Sequence, residues 1–219
     1  MDEPGIYLEP TFFIDSDNPT VVDYARAAVE GAAGATEVAV QLFYAVRDDI
    51  RYDPYRISLD REELRASACL ERGYGFCVPK AILLAAACRA MGVPARLGFA
   101  DVRNHLATKR LLDLIRTDIF IYHGYTEILL DGRWVKATPA FNLTLCEKFG
   151  VLPLEFDGSG DAVFHPFDGE GRRHMEYVND RGSFADLPYE EMTADFAALY
   201  PRWASEEGDF AAEAEAERV

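Results

Sequence analysis

The chain has 219 residues, nearly half of them hydrophobic, and a formal net charge of −16 at pH 7. That length and apolar share support a globular core, while the negative charge argues against nucleic acid or an anionic membrane as partner. No stretch approaches the roughly 20 apolar residues of a bilayer span, and Met1-Asp-Glu-Pro-Gly lacks the basic-then-apolar plan of a signal peptide, so a soluble cytoplasmic protein is expected.

Residues 5–14 read as a short extended segment, with Tyr7, Phe12 and Phe13 available for packing. Asp17-Asn-Pro-Thr20 is a helix-start signal, and Val22, Ala25 and Val29 continue it at helical spacing. A small-residue break, Gly31-Ala-Ala-Gly-Ala, precedes a second helix with Thr36 as N-cap and Val38, Leu42, Phe43 and Val46 along it to about Ile50. Asp53-Pro54 ends that segment, and residues 61–71 predict a short helix with Leu64, Ala68 and Leu70. A helix from Cys77 to Gly92 follows. Pro94 to Val102 then reads as a strand with Ala95, Leu97 and Phe99 on one face. Asn104–Arg116 is a partly helical excursion. Asp118–Leu130 and Trp134–Ala140 are strands joined by the two-residue hairpin signal Asp131-Gly132. Helices first and antiparallel strands second make an α+β protein. The expected organisation is a single domain over 1–219. It comprises an N-terminal strand and helix segment (1–37), a core (38–150) and an irregular C-terminal extension (151–219). The extension carries a helical stretch near Pro188–Trp203 and an acidic tail that is either a solvated helix end or disordered.

The four cysteines, Cys69, Cys77, Cys88 and Cys146, are spaced by eight, eleven and 58 residues. That matches neither a CxxC metal pattern nor a dense disulfide framework. Cys69, Cys88 and Cys146 have apolar surroundings and read as small buried hydrophobes. Cys77 differs, because Gly73-Tyr-Gly-Phe-Cys77-Val-Pro79 places it at a helix mouth behind two glycines. The helix dipole there favours a thiolate, and a thiolate is a nucleophile.

A nucleophile needs a base. With Asp131-Gly132 as the turn, Leu130 pairs with Arg133, Leu129 with Trp134, Glu127 with Lys136, Tyr125 with Thr138 and His123 with Ala140. The Glu127–Lys136 charge pair supports this register. His123, Tyr125 and Glu127 then share a face with Lys136 and Thr138, and Thr138 lies diagonal to the imidazole. His105, His165 and His174 fall in polar loops. No histidine, cysteine and carboxylate set has zinc spacing and no EF-hand-like loop is present, so neither metal nor other cofactor is expected.

These residues resemble a known family. Gly75-Phe-Cys77-Val-Pro-Lys-Ala81 through Ala90-Met-Gly-Val-Pro-Ala-Arg96 is similar to the nucleophile helix and first strand of the transglutaminase-like superfamily. His123-Gly-Tyr-Thr-Glu through Trp134-Val-Lys-Ala-Thr138-Pro resembles its histidine hairpin, and Ile50-Arg-Tyr-Asp-Pro54 its lead-in. The likeness spans about residues 38–142. It implies a papain-like cysteine-proteinase fold, with N-terminal helices packed on an antiparallel sheet. It also implies acyl transfer from a peptide or protein amide through a Cys77 thioester, with His123 as base. The family's third member is an acid before a proline; here that place holds Thr138, which can accept a hydrogen bond but cannot stabilise imidazolium by charge. Asn142 is an alternative orienter, with Asp101 and Glu127 weaker ones. The Cys77 amide is the natural oxyanion donor, Gln41 an optional side-chain donor, and Tyr74 and Phe76 flank the cleft. Without an acid, a degenerate module with a binding or scaffold role is the alternative expectation.

Overall fold

The computed structural model describes residues 4–104, 107–163, 175–200 and 208–217. It begins with a 3-10 turn at Pro4–Tyr7, not the expected extended segment; Pro4-Gly5 turns the chain so that the Leu8 amide reaches the Gly5 carbonyl at 3.1 Å. Helix α1 (Pro19–Ala28) is capped by Asn18, whose side chain accepts from the Thr20 amide, and it buries Val21 and Ala25. Helix α2 (Ala35–Asp49) starts one residue before the expected Thr36 cap, behind Gly34, and buries Leu42, Phe43 and Val46. Strand β1 (Arg51–Tyr52) pairs in parallel with β2 (Tyr74–Gly75). Between them helix α3 (Ala66–Arg72) is shorter than expected, with Leu64 buried just ahead of it.

Helix α4 (Cys77–Ala90) is buried from Val78 to Arg89. Its sequence, Val-Pro-Lys-Ala-Ile-Leu-Leu-Ala-Ala-Ala-Cys, is apolar all round, as a central helix must be. It lies between α1, α2 and α3 on one side and a four-stranded sheet on the other. The sheet comprises β3 (Ala95–Asn104), β4 (Ile119–Leu130), β5 (Arg133–Ala137) and β6 (Met175–Phe184), in the antiparallel order β5-β4-β3-β6. Helix α5 (Lys109–Ile115) fills the excursion between β3 and β4. Helices α6 (Leu143–Phe149), α7 (Tyr189–Leu199) and α8 (Phe210–Ala216) complete the described chain. No helix among the described residues is long and apolar enough to cross a membrane.

The β4–β5 hairpin has the register its turn dictates: Leu130 faces Arg133, Leu129 faces Trp134 and Glu127 faces Lys136. Asp131 and Gly132 both take positive φ, 49° and 78°, as a two-residue turn of this hand requires. The ladder ends at Ala137, which turns to a bridge with Ala162, so the expected Tyr125–Thr138 and His123–Ala140 pairs lie beyond it.

The region after residue 150 is less irregular than its composition suggests. Residues 175–184 form the edge strand β6, and α8 is no solvated tail, because it buries Phe210 and Ala214. Glu213 of α8 reaches Arg110 at 3.0 Å and the Tyr55 hydroxyl. Cys69, Cys88 and Cys146 are buried, as expected.

One polar side chain holds the helical layer together. Lys80, on α4, is fully buried, and its Nζ donates to the Arg47 carbonyl at 2.9 Å and to the Ile50 carbonyl. Those carbonyls close the C-terminal end of α2, which lacks intrahelical partners. Burial pushes the Lys80 ammonium down to about 7. Between that value and the usual 10.5 the unfolded chain holds a proton that the folded chain has released, so this group makes the fold more stable as pH rises through that window. Urea unfolding of wild type and Lys80→Met across this pH range should show the wild type gaining stability relative to the variant. A pH-independent difference would contradict the depressed lysine.

Candidate active site

Two glycines and a proline shape the approach to Cys77. Gly73 ends α3 in the left-handed region, φ 70°, and its amide bonds back to Cys69 and Leu70. The chain then pairs with β1, where the Arg51 amide donates to the Gly73 carbonyl at 2.9 Å and the Asp53 amide to that of Gly75 at 3.0 Å. Phe76 is the extended N-cap, Cys77 the first residue of α4, and Pro79 occupies the first turn, where its missing N–H costs nothing.

Cys77 meets the sheet at Gly124 of β4. A Cβ on Gly124 would fall 3.1 Å from Val78 Cα and 3.4 Å from the Cys77 carbonyl oxygen, so any larger residue would push strand and helix apart by a few tenths of an ångström. The thiol is half-buried and interacts with the amides of Gly124, Val78 and Cys77 itself. One turn further, the Thr126 hydroxyl donates to the Ala81 carbonyl at 2.8 Å, which pins α4 to the same strand.

A cavity of about 40 Å³ opens beside the thiol. Its wall includes Cys77, His123, Asn104 and Tyr52, and is otherwise mainly apolar, with Phe76, Phe141 and Phe210 among the rings. Most of these rings come from segments remote in sequence from Cys77.

Burial works against the expected activated thiolate. Loss of solvation pushes the Cys77 thiol up to about 11; the three amide hydrogen bonds act in the opposite sense but do not prevail. A helix mouth favours a thiolate only where water or a cation helps to carry the charge, and this mouth faces an apolar cavity.

The structure places the sequence-predicted residues unequally. His123 is buried on β4, opposite Ala100 of β3, and shares the cavity wall with Cys77. Among the described residues no hydrogen bond joins the Cys77 sulfur to the His123 ring; the thiol meets the strand through the neighbouring Gly124 amide. Thr138 is outside the cavity wall and its hydroxyl donates to the Val163 carbonyl at 3.1 Å. Asn142 accepts from the Tyr52 amide at 3.1 Å and donates to Thr144. Glu127 is engaged by Arg96, by Ser183 and, at 3.9 Å, by Lys136. Gln41 sits on α2 away from the cavity, as does Tyr74, whose ring lies under Arg51, Arg56 and Arg72. Phe76 lines the wall. His105, His165 and His174 lie outside the described residues.

Asp101 braces the strand next to His123. The β3–β4 ladder shifts register between Ala100 and Val102, and Tyr122, just before His123, takes a positive φ of 52°. Asp101 accepts from the Tyr122 amide at 3.2 Å and is held by Arg181 at 2.5 Å and Asn179 at 3.2 Å. It therefore stabilises the strained bulge from which His123 emerges. Among the described residues no group of three or more histidine, cysteine, aspartate or glutamate side chains is placed to hold a metal.

The helices, the antiparallel sheet and the cysteine at the mouth of the central helix define an α+β fold of the papain-like type. The transglutaminase-like superfamily model matches residues 22–139, more than half of the chain, and the chain belongs to that superfamily. A candidate cysteine protease from Cytophaga hutchinsonii has a similar fold, with a TM-score of 0.50 and 16% identity over 84% of this chain and 54% of that one. This chain thus spans about half the length of that protein. A candidate protease from Parabacteroides distasonis gives a TM-score of 0.42 at 15% identity, covering 64% of this chain and 27% of that one. A search among curated proteins finds no match.

A thiol raised by burial stays protonated until the pH approaches its shifted value. Iodoacetamide labelling of native Cys77, followed by peptide mass spectrometry, should rise with a midpoint near 11 and stay slower than a free model thiol at neutral pH. A midpoint below that of the free thiol would contradict the burial effect.

Proposed function

We propose that this protein is a cysteine hydrolase or acyltransferase that acts on an amide or peptide carbonyl through a thioester on Cys77. The observation that carries this reading is the shared cavity of Cys77 and His123 at the start of the central helix. Superfamily membership supports the same chemistry.

The Cys77 sulfur attacks the carbonyl carbon while its proton passes to His123. The tetrahedral intermediate places negative charge on the former carbonyl oxygen, near the first-turn amides of α4, which include that of Cys77. Collapse expels the amine, protonated by His123, and leaves the thioester. Water or a second amine then attacks the thioester carbon, gives up its proton to His123 and returns the thiol. The raised resting thiol fits a mechanism in which proton transfer accompanies attack rather than one with a standing ion pair. The small cavity admits the reacting carbonyl and a few neighbouring atoms, and leaves the rest of a peptide outside.

A second reading, a degenerate module that binds without turning over, is favoured by Thr138, whose hydroxyl is directed to Val163. A peptide-library assay separates the two. Turnover by the wild type, abolished in Cys77→Ala and lowered at least about 100-fold in His123→Ala, is the expected result. Turnover that survives in Cys77→Ala would sink the thioester reading, and no turnover in any protein would favour the binding module.

A further inference from the structure

Three tyrosines line the Cys77 cavity, and their hydroxyl protons have different fates. Tyr200 donates to the Ile119 carbonyl at 2.7 Å and accepts from the Ile121 amide at 2.8 Å. Tyr122 donates to Asp195 at 3.2 Å. The Tyr52 hydroxyl has no hydrogen-bond partner among the described residues, although its ring is fixed. The Tyr52 amide donates to Asn142, and the ring stands edge-on to Phe141 at 4.7 Å between centroids. Its backbone pairs with Gly75, two residues before the nucleophile, so Tyr52 and Cys77 are carried by one small platform. The phenol and the thiol interact electrostatically, and burial raises the phenol well above its usual range, which keeps its proton in place.

The half-buried Tyr52 side chain lines the same cavity as the thiol, so a substrate oxygen seated there can take the phenol proton without displacing an existing partner. We propose that Tyr52 is a catalytic residue, the side-chain hydrogen-bond donor that meets the oxyanion formed when Cys77 attacks a carbonyl. This rests on the thioester reading of Cys77. The phenol and the α4 amides would bind the same developing charge from two sides, with the phenol proton shared and not transferred. No net proton or electron change is needed. The free thiol carries no oxyanion, so the ring waits with its donor uncommitted. Sequence reading missed this residue because its only signal was a place in Ile50-Arg-Tyr-Asp-Pro54, where a tyrosine reads equally well as packing.

The test compares two reactions at the same sulfur. Acylation by p-nitrophenyl acetate passes through an oxyanion, whereas alkylation by iodoacetamide does not. Both rates are measured at one fixed pH for wild type, Tyr52→Phe and Cys77→Ala. Tyr52→Phe keeps the ring and removes only the hydroxyl. The expected result is acylation slowed about 100-fold with alkylation unchanged within about twofold. Unchanged acylation would overturn the proposal. A parallel fall in both rates would also overturn it, because Tyr52 would then shape the thiol rather than the oxyanion. Acylation that persists in Cys77→Ala would instead defeat the thioester reading itself.

Discussion

The site depends on the contact between Gly124 and the first turn of α4. Two stretches of backbone meet there, so there is no side chain whose rotation could relieve crowding. Close packing of main chain against main chain tolerates displacements of tenths of an ångström only. That contact fixes the distance from the sulfur to β4 and brings the Gly124 amide onto the thiol. It also places His123, the residue before Gly124, at the wall of the same cavity. The rest of the fold can be read as support for it.

The support consists largely of buried polar groups that satisfy backbone. Lys80 ties α4 to the end of α2 and so to Tyr52 two residues beyond Ile50. Arg89, at the far end of α4, spends its guanidinium on the carbonyls of Glu9, Ala95 and Ala185, which draws the N-terminal segment, β3 and the chain after β6 onto one helix. Asp101 holds the bulge before His123. Each of these groups would be expensive to bury without its partners, so the central helix has little freedom to shift. The sulfur at its mouth is accordingly held in place, and for the proposed chemistry that preorganisation outweighs the charge the thiol carries at rest.

Much of this was legible in the residues. The glycines before Cys77 and Gly92 after Met91 bracket α4, and Asp131-Gly132 set the hairpin register pair by pair. What escaped had physical causes. The strand β6 carries Asn179-Asp-Arg-Gly182 in its middle, and its ladder with β3 slips twice, so no alternation survives in the sequence. An edge strand with one exposed side needs none. In α8 the burial of Phe210 and Ala214, four residues apart, was hidden among acidic residues that read as solvated. The β4–β5 ladder ends at Ala137, so the pairs Tyr125–Thr138 and His123–Ala140, which the hairpin turn alone would dictate, are not part of it. The surroundings of the thiol were not legible either: sequence shows the helix end but not the rings that Phe141, Phe149, Phe196 and Phe210 bring to its cavity from afar.

The fold and superfamily are thus established, while the proposed chemistry turns on one bond between Cys77 and an acyl group. Brief exposure to p-nitrophenyl acetate, acid quenching and peptide mass spectrometry would test it most directly. The account predicts one acetyl group on the peptide that contains Cys77, lost with time and never formed after His123→Ala on the same timescale. Acetylation confined to lysines, or to Cys69, Cys88 or Cys146, would contradict it.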